Sequence, residues 1–243
     1  MAKKKKSGGI RKFFRYLLGI ILVLFLSSTL YAVLCRWVMP PITITQLGAL
    51  FGGYGLKRDY VSWENISRNA KLAAIASEDQ LFPEHGGFDW KSIEKSINGN
   101  PHKKKRVAAG GGASTISQQV AKNVFLWQGS GWGRYLRKVP EFYFTKLIEW
   151  TWGKRRIMDV YMNVIEMGPG IYGIEAASKT YFHKHAKDLS RAESAMIIAC
   201  LPNPKVFSVV PMSRRVRWRY PQIMDQMDNL DGDEDVDAVV KTP

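Results

Sequence analysis

The spacing of hydrophobic and polar positions changes once along the chain, shortly after the N-terminus. Residues 17–35 form an apolar run of 19 residues without a charge, which is long enough to cross a bilayer as one helix. From residue 62 onward, apolar side chains recur every three or four positions, the period of an amphipathic helix. The pattern therefore predicts a mostly α-helical body behind a single membrane-spanning helix.

Capping residues and helix breakers divide this body into short elements. No run of alternating apolar and polar residues stands out, so the pattern predicts no strand. The predicted helices cover residues 67–77, 89–98, 115–126, 141–152, 154–166, 173–181 and 191–199.

Two segments differ in composition from the helical body. Residues 36–61 contain Pro40, Pro41 and several glycines, which indicates either a simple linker or a connector whose apolar side chains touch the bilayer. Residues 225–243 are acidic with few apolar neighbours, which predicts a solvated, disordered tail. The chain thus divides into a basic segment (1–16), an anchor (17–35), a connector (36–61), a helical domain (62–224) and a tail (225–243).

The charge distribution orients the anchor and limits the partners. The formal net charge is +15, and the basic residues that precede the apolar run predict a cytoplasmic N-terminus and an external body. A cleaved signal peptide is the rival, but it would have a shorter apolar region ending in a small-x-small site, and Ser27-Ser28-Thr29 or Tyr31-Ala32 offers only a poor one in the middle of this run. The basic body favours anionic partners at a membrane, lipid headgroups or lipid-linked phosphates, over nucleic acid. Cys35 and Cys200 make no disulfide framework.

Glu78 and Asp79 are the first candidates for chemistry. They end an apolar helical run and precede a loop that carries Phe82, His85 and two glycines. A carboxylate between a packed helix and an open loop suits general acid or base catalysis. The alternative is an ordinary solvated acidic pair.

A glycine-rich segment followed by a helix is the second candidate site. Thr115 and Gln118 have the spacing of a capping box at the start of the helix, and such a helix end binds anions. Lys122 adds an ammonium one turn later. The basic run 103–106 precedes the glycines, and it is either a loop that covers an anionic ligand or a loop with a solvated basic face. A merely well-capped helix remains the alternative.

A third cluster combines two cations and a carboxylate. Arg137 and Lys138 precede Glu141 by four and three residues, with Pro140 between them. These spacings bring the side chains together at the start of a helix. The cluster is either a surface ion-pair group of little energetic value or a site with fixed positive charge for a departing phosphate.

Together these residues resemble the five ordered motifs of the peptidoglycan glycosyltransferases, and the short chain resembles the monofunctional biosynthetic form. The resemblance covers about residues 62–211. The motifs are Glu78-Asp79-x-x-Phe82-x-x-His85-x-Gly87-x-Asp89, Gly112-Ala113-Ser114-Thr115-Ile116-Ser117-Gln118-Gln119-x-x-Lys122-Asn123, Arg137-Lys138-x-x-Glu141, Arg156-Ile157-x-Asp159-x-Tyr161-x-Asn163, and Gly170-x-x-Gly173-Ile174-x-Ala176-Ala177-x-x-x-Tyr181-Phe182.

The resemblance implies a lysozyme-like, two-lobed helical fold in the bacterial inner membrane, and polymerisation of lipid II with inversion and release of undecaprenyl pyrophosphate. It implies that Glu78 is the general base and that Glu141 orients cations, assists the leaving group or helps to hold a divalent ion such as magnesium or manganese. Its other implied partners are the growing glycan strand and proteins of cell division or elongation. The residues implied to bind or position substrate are Asp79, Phe82, His85, Ser114, Thr115, Gln118, Gln119, Lys122, Asn123, Arg137 and Lys138.

The chain departs mildly from the family pattern, with Ala113, Ser117 and Asp159 at positions where other residues are commoner. Two rival functions are considered. A lysozyme-like hydrolase or lytic transglycosylase would act on finished glycan with Glu78 as its acid, but it would not need the cations. A catalytically silent anchor that binds cell-wall polymer would not need both Glu78 and Glu141.

Overall fold

A computed structural model describes residues 7–90, 94, 114–127 and 132–241 of the chain. The mostly helical architecture and the long apolar N-terminal helix are confirmed. The predicted helix over 89–98 lies largely outside the described residues, and the basic run 103–106 and the glycines 110–112 lie outside them entirely. The helices are α1 (Ser7–Leu34), α2 (Ile44–Phe51), α3 (Arg68–Glu78), α4 (Ile116–Phe125), α5 (Trp132–Leu136), α6 (Lys138–Thr151), α7 (Lys154–Val164), α8 (Ile174–Phe182), α9 (Arg191–Ile198), α10 (Arg214–Leu230) and α11 (Glu234–Val240).

The helix α1 contains the one segment of the described chain that is long and apolar enough to span a membrane, Arg11–Leu34. Its C-terminal part is attached to the body by side-chain hydrogen bonds. The Trp152 indole N–H donates to the Ala32 carbonyl at 2.8 Å, and the Arg156 guanidinium donates to the Cys35 carbonyl at 3.0 and 3.1 Å. The anchor is therefore docked against the body as well as joined to it by the backbone.

The connector is folded onto the body. Within it, α2 begins with a capping box in which Thr43 and Gln46 satisfy each other's backbone N–H groups. The Thr45 hydroxyl donates to the Asn123 carbonyl at 3.2 Å, and the Tyr172 hydroxyl donates to the Thr45 carbonyl at 3.1 Å. The simple-linker alternative for this segment was wrong, because its polar side chains are used in tertiary hydrogen bonds.

The structure contains a small sheet that the sequence pattern did not predict. Its order is β1 (Lys57–Arg58), β3 (Ile171–Tyr172) and β2 (Glu166–Gly168), with β1 parallel and β2 antiparallel to β3. Strands of two or three residues are too short to show an alternating pattern. Gly170 turns the chain beside this sheet with a φ of 68°, and a Cβ there would lie 2.2 Å from the Tyr54 carbonyl oxygen.

The helix α3 lies at the centre of the body. Its alanines Ala70, Ala73 and Ala74 are fully buried, and these small side chains allow neighbouring helices to approach closely. Both α9 and α10 pack against α3, while α4 packs against α6 and α7. The carboxylate of Glu78 at the end of α3 is thus carried by the most enclosed helix of the domain.

The prediction of a disordered acidic tail was wrong. Helix α10 continues to residue 230 and α11 follows, with Val236, Val239 and Val240 buried. The Arg68 guanidinium at the start of α3 contacts Asp231 at 2.8 Å and Asp237 at 2.6 Å. The high acidic content concealed three valines at helical spacing, which bury an apolar face against α3 and α7.

We predict that Val240→Ala destabilises the protein, because it removes buried methyl groups and leaves a cavity beneath α11. The expected loss is about 1–2.5 kcal/mol of unfolding free energy, measured by chemical denaturation of the detergent-solubilised full chain. Asp235→Ala on the exposed side of the same helix is the matched control. Equal midpoints for Val240→Ala and wild type would mean that α11 does not dock.

Candidate active site

Glu78 occupies the last turn of α3 and is half-buried. The Gln119 side-chain amide donates to Glu78 Oε2 at 2.9 Å, which joins α3 to α4 at this point. Burial raises the pKa of Glu78 above that of an ordinary glutamate, while the Gln119 hydrogen bond and the positive charge of Arg219 act in the opposite direction. A carboxylate in this state is a stronger base than an exposed glutamate.

Asp79 holds the following loop against the start of α4. Its carboxylate accepts the backbone N–H of Ile116 at 2.9 Å and pairs with His85 Nε2 at 2.9 and 3.1 Å. The backbone N–H of Gly87 donates to His85 Nδ1 at 3.1 Å, so Nε2 is the nitrogen that donates to Asp79. Asp79 and His85 are thus positioning residues within the loop, next to the half-buried Glu78.

The predicted capping box at the start of α4 is confirmed. The Thr115 hydroxyl oxygen accepts the Gln118 N–H, and Gln118 Oε1 accepts the Thr115 N–H at 2.9 Å. Thr115 also donates to the Gly87 carbonyl at 2.7 Å, and both capping side chains are buried. Since Asp79 already accepts the Ile116 N–H, this helix end is occupied by groups of the protein itself, and Ser114 lies half-buried just before it.

Two further residues of the predicted set are buried in the interior of the protein. Phe82 is fully buried, with the Lys154 ammonium 4.6 Å from its ring centroid. Asn123 is also buried, and its side-chain amide donates to the Gln119 carbonyl at 2.8 Å. Phe82 therefore supports the loop that follows α3, and Asn123 supports the helix turn that carries Gln119.

The cation cluster at the start of α6 is assembled as the spacing predicted. Lys138 Nζ lies 2.5 Å from Glu141 Oε1, and Arg137 Nε lies 3.4 Å from Glu141 Oε2. Arg137 also donates to the Trp127 carbonyl at 2.9 Å. Glu141 is only 1% exposed, whereas the Lys138 side chain is 53% exposed. A buried carboxylate thus holds one buried and one accessible cation.

Lys122 connects this cluster to Glu78. Burial lowers the pKa of the half-buried Lys122 ammonium, and the nearby Arg137 lowers it further, while Glu141 and Glu78 act to raise it. Charges from both sides therefore act on this one ammonium. Of the predicted residues, the structure brings Glu78, Gln119, Lys122 and the Arg137–Glu141 cluster to one site.

The surroundings of Glu141 do not fit a divalent cation. Its two carboxylate oxygens face Lys138 and Arg137, and positive neighbours disfavour a metal ion at the same place. Within the described ranges there is also no group of three or more His, Cys, Asp or Glu side chains that could hold a metal. We therefore interpret Glu141 as the ion-pair partner of Lys138 and Arg137.

Arg219 is a site residue that the sequence pattern did not predict. This residue is only 2% exposed on α10, it donates to Gln222 at 3.2 Å, and its charge acts on Glu78. The signal was available in the buried positions Val216 and Ile223 that flank it at helical spacing. It was overlooked because the predicted helices stopped at residue 199.

We predict that Asp79→Ala destabilises the protein and disrupts the loop after α3, because the Ile116 N–H and His85 lose their hydrogen-bond acceptor. The expected cost is about 2–4 kcal/mol of unfolding free energy, measured by chemical denaturation in detergent. Gln80→Ala, at the exposed neighbouring position, is the control and should cost far less. Similar losses for the two variants would contradict the positioning role of Asp79.

Comparison with known proteins shows the family of the chain. Residues 45–228 match the sequence model of the Transglycosylase family. The chain is 42% identical to a biosynthetic peptidoglycan transglycosylase of Bdellovibrio bacteriovorus, covering 88% of this chain and 85% of the relative. It is 41% identical to the protein of that description from Pseudomonas aeruginosa, covering 93% and 97%. The chain therefore belongs to the Transglycosylase family, as a peptidoglycan glycosyltransferase that builds glycan strands.

Proposed function

We propose that the protein polymerises lipid II. The 4-hydroxyl of the acceptor GlcNAc attacks the anomeric carbon of a MurNAc, the bond to undecaprenyl pyrophosphate breaks, and the configuration at that carbon inverts. The observation that carries the proposal is the half-buried Glu78 carboxylate, which accepts a hydrogen bond of 2.9 Å from Gln119 on the helix that also carries Lys122. Burial raises the pKa of Glu78 and lowers that of Lys122. Opposite shifts in neighbouring groups are typical of a site that handles both a proton and a leaving-group charge.

In this proposal Glu78 takes the proton of the attacking hydroxyl. The reaction needs the deprotonated carboxylate, and a raised pKa makes that carboxylate a better proton acceptor near neutral pH. The Gln119 amide lies 2.9 Å from Glu78 Oε2, and among the described residues Oε1 has only a long contact of 3.4 Å to the Ser77 hydroxyl. Oε1 is therefore the oxygen that we assign to the incoming hydroxyl.

The leaving pyrophosphate gains negative charge as the glycosidic bond breaks. Lys122, Arg137 and Lys138 supply positive charge that is already oriented, so little reorganisation is needed as the charge builds. Lys138 is the most accessible of the three, and the buried Glu141 fixes its direction. Glu141 is accordingly proposed as a positioning residue for the cations, and a direct role in proton transfer is not needed.

The proposed orientation has the N-terminus in the cytoplasm and the body on the outer face of the bacterial inner membrane. The Phe25 ring of the anchor contacts the Tyr143 ring of α6 in a tilted arrangement, with 5.2 Å between centroids. Phe25 lies nine residues before Leu34, about 14 Å along a helix axis. Contacts at that depth support partial immersion of α6 in the outer leaflet. Exposed Trp132 and Val139 nearby would then meet acyl chains, close to a substrate that is itself lipid-anchored.

We predict that Glu78→Gln lowers the rate of lipid II polymerisation at least about 100-fold, because the amide cannot accept the hydroxyl proton. The assay separates glycan strands from lipid II after incubation with the detergent-solubilised protein. Glu84→Gln, an exposed carboxylate in the following loop, is the control and should retain wild-type activity.

A parallel incubation with finished glycan tests the hydrolase alternative. Shortened glycan with untouched lipid II would overturn the proposed direction of the chemistry. An active Glu78→Gln variant would overturn the assignment of the base.

We also predict an effect of Gln119 on the pH profile. Activity should fall as the pH drops through the raised pKa of Glu78, because the protonated acid is no base. Gln119→Leu removes a hydrogen bond that stabilises the charged carboxylate, so the pKa rises further and the acidic limb of kcat moves to higher pH. Gln80→Leu at an exposed position should leave that limb in place, and an unmoved limb in Gln119→Leu would contradict the coupling.

A further inference from the structure

The loop that follows α3 is fastened by side chains that are distant from it in sequence. Three consecutive backbone carbonyls of the loop each accept a hydrogen bond from a side chain of a different element: His85 from Lys154 at 2.5 Å, Gly86 from Lys146 at 2.7 Å and Gly87 from Thr115 at 2.7 Å. The three donors belong to α7, to α6 and to the N-cap of α4. The backbone of the loop is therefore held at three successive residues.

Lys154 is the more enclosed of the two lysines in this set. Its side chain is 19% exposed, whereas Lys146 lies at the surface. The Lys154 ammonium is also 4.6 Å from the Phe82 ring centroid and 2.7 Å from Glu149 Oε1. Burial lowers the pKa of Lys154, while the hydrogen bond and the charge of Glu149 act to raise it. One ammonium thus contacts a loop carbonyl, an aromatic ring and a carboxylate.

The Glu149 carboxylate fixes the direction of the Lys154 side chain. Glu149 lies in the last turn of α6, its side chain is 10% exposed, and its Oε1 also accepts the hydroxyl of Ser117 in the first turn of α4. The loop passes close to this carboxylate, because a Cβ added at Gly87 would lie 3.0 Å from Glu149 Cγ. Glu149 therefore joins α4, α6 and α7 beside the loop.

A continuous series of contacts leads from Lys154 to Glu78. Lys154 holds the backbone carbonyl of His85, and the His85 imidazole pairs with the Asp79 carboxylate at 2.9 Å. Asp79 directly follows Glu78 and also accepts the Ile116 N–H at the start of α4. A displacement of the His85 backbone would therefore change the contacts of the residue next to Glu78.

We infer that Lys154 is a positioning residue for the transfer reaction. It fixes the backbone of His85, so that the pair of His85 and Asp79 keeps Glu78 in its orientation. A displacement of about 1 Å at a reacting group can cost about 100-fold in rate. The inference rests on the proposed function, because Glu78 is the base whose position Lys154 preserves.

The first experiment replaces Lys154 by methionine, which keeps most of the side-chain length and removes the ammonium. Lys154→Met should lower kcat for lipid II polymerisation about 10- to 100-fold. KM should change less than about twofold, because Lys154 makes no contact with the substrate in this assignment. Lys154→Arg, which keeps the charge and the N–H donors, should recover a large part of the lost kcat. Lys187→Met at an exposed position is the matched control, and an unchanged kcat in Lys154→Met would overturn the inference.

A double variant distinguishes positioning from a purely structural role. Lys154→Met leaves the buried Glu149 carboxylate without its ammonium, which destabilises the fold. Adding Glu149→Gln removes that charge and still offers an oxygen to Ser117, so the unfolding midpoint should rise again. The kcat should stay low, because the His85 carbonyl still lacks its donor. Rates are compared at a temperature where circular dichroism shows every variant to be folded, and recovery of kcat in the double variant would overturn the positioning role.

Hydrogen exchange separates this inference from the proposed function. In the full-length protein in detergent, the backbone amides of residues 82–88 should exchange at least about fivefold faster in Lys154→Met than in wild type. Lys187→Met should exchange like wild type. Faster exchange in Lys154→Met, with a wild type that does not polymerise lipid II, would overturn the function and keep the role of Lys154 in the loop. Polymerisation by wild type with unchanged exchange in Lys154→Met would overturn the inference and keep the function.

Discussion

The Asp79 carboxylate is the contact on which the rest of the site depends. It accepts the Ile116 N–H at the start of α4 and pairs with His85 in the loop, so it joins the end of α3 to two other segments. Glu78 is the preceding residue, and Gln119 and Lys122 lie on the helix that Asp79 caps. One buried carboxylate therefore joins the helix end that carries Glu78 to the helix that carries Gln119 and Lys122.

Burial creates the electrostatic character of the site. The same loss of water raises the pKa of Glu78 and lowers that of Lys122, so each group is less strongly committed to its charged form than it would be at the surface. Other buried side chains of opposite charge surround these groups. Buried Glu141 offsets Arg137 and Lys138, and buried Arg219 offsets Glu78. Such fixed charges suit a reaction in which negative charge moves from the attacking oxygen to the leaving group.

The anchor contributes to this arrangement beyond tethering. The Trp152 and Arg156 side chains bind the carbonyls of Ala32 and Cys35. Trp152 directly follows α6, and Arg156 lies in the first turn of α7. Since α6 also carries Glu141, the membrane helix and the cation cluster share one rigid element. This geometry fixes the position of the cluster relative to the anchor helix.

The sequence determined the membrane helix, most of the helices, the capping box of Thr115 and the spacing of Arg137, Lys138 and Glu141, because these depend on local periodicity and short-range contacts. Only the tertiary structure decided the rest. It gave Asp79 and Phe82 interior supporting roles, since burial depends on neighbours distant in sequence. It also brought Arg219 to Glu78, and it ordered the acidic segment through Arg68 and three valines. Charge composition alone could not reveal that last contact, because its partners lie about 170 residues apart.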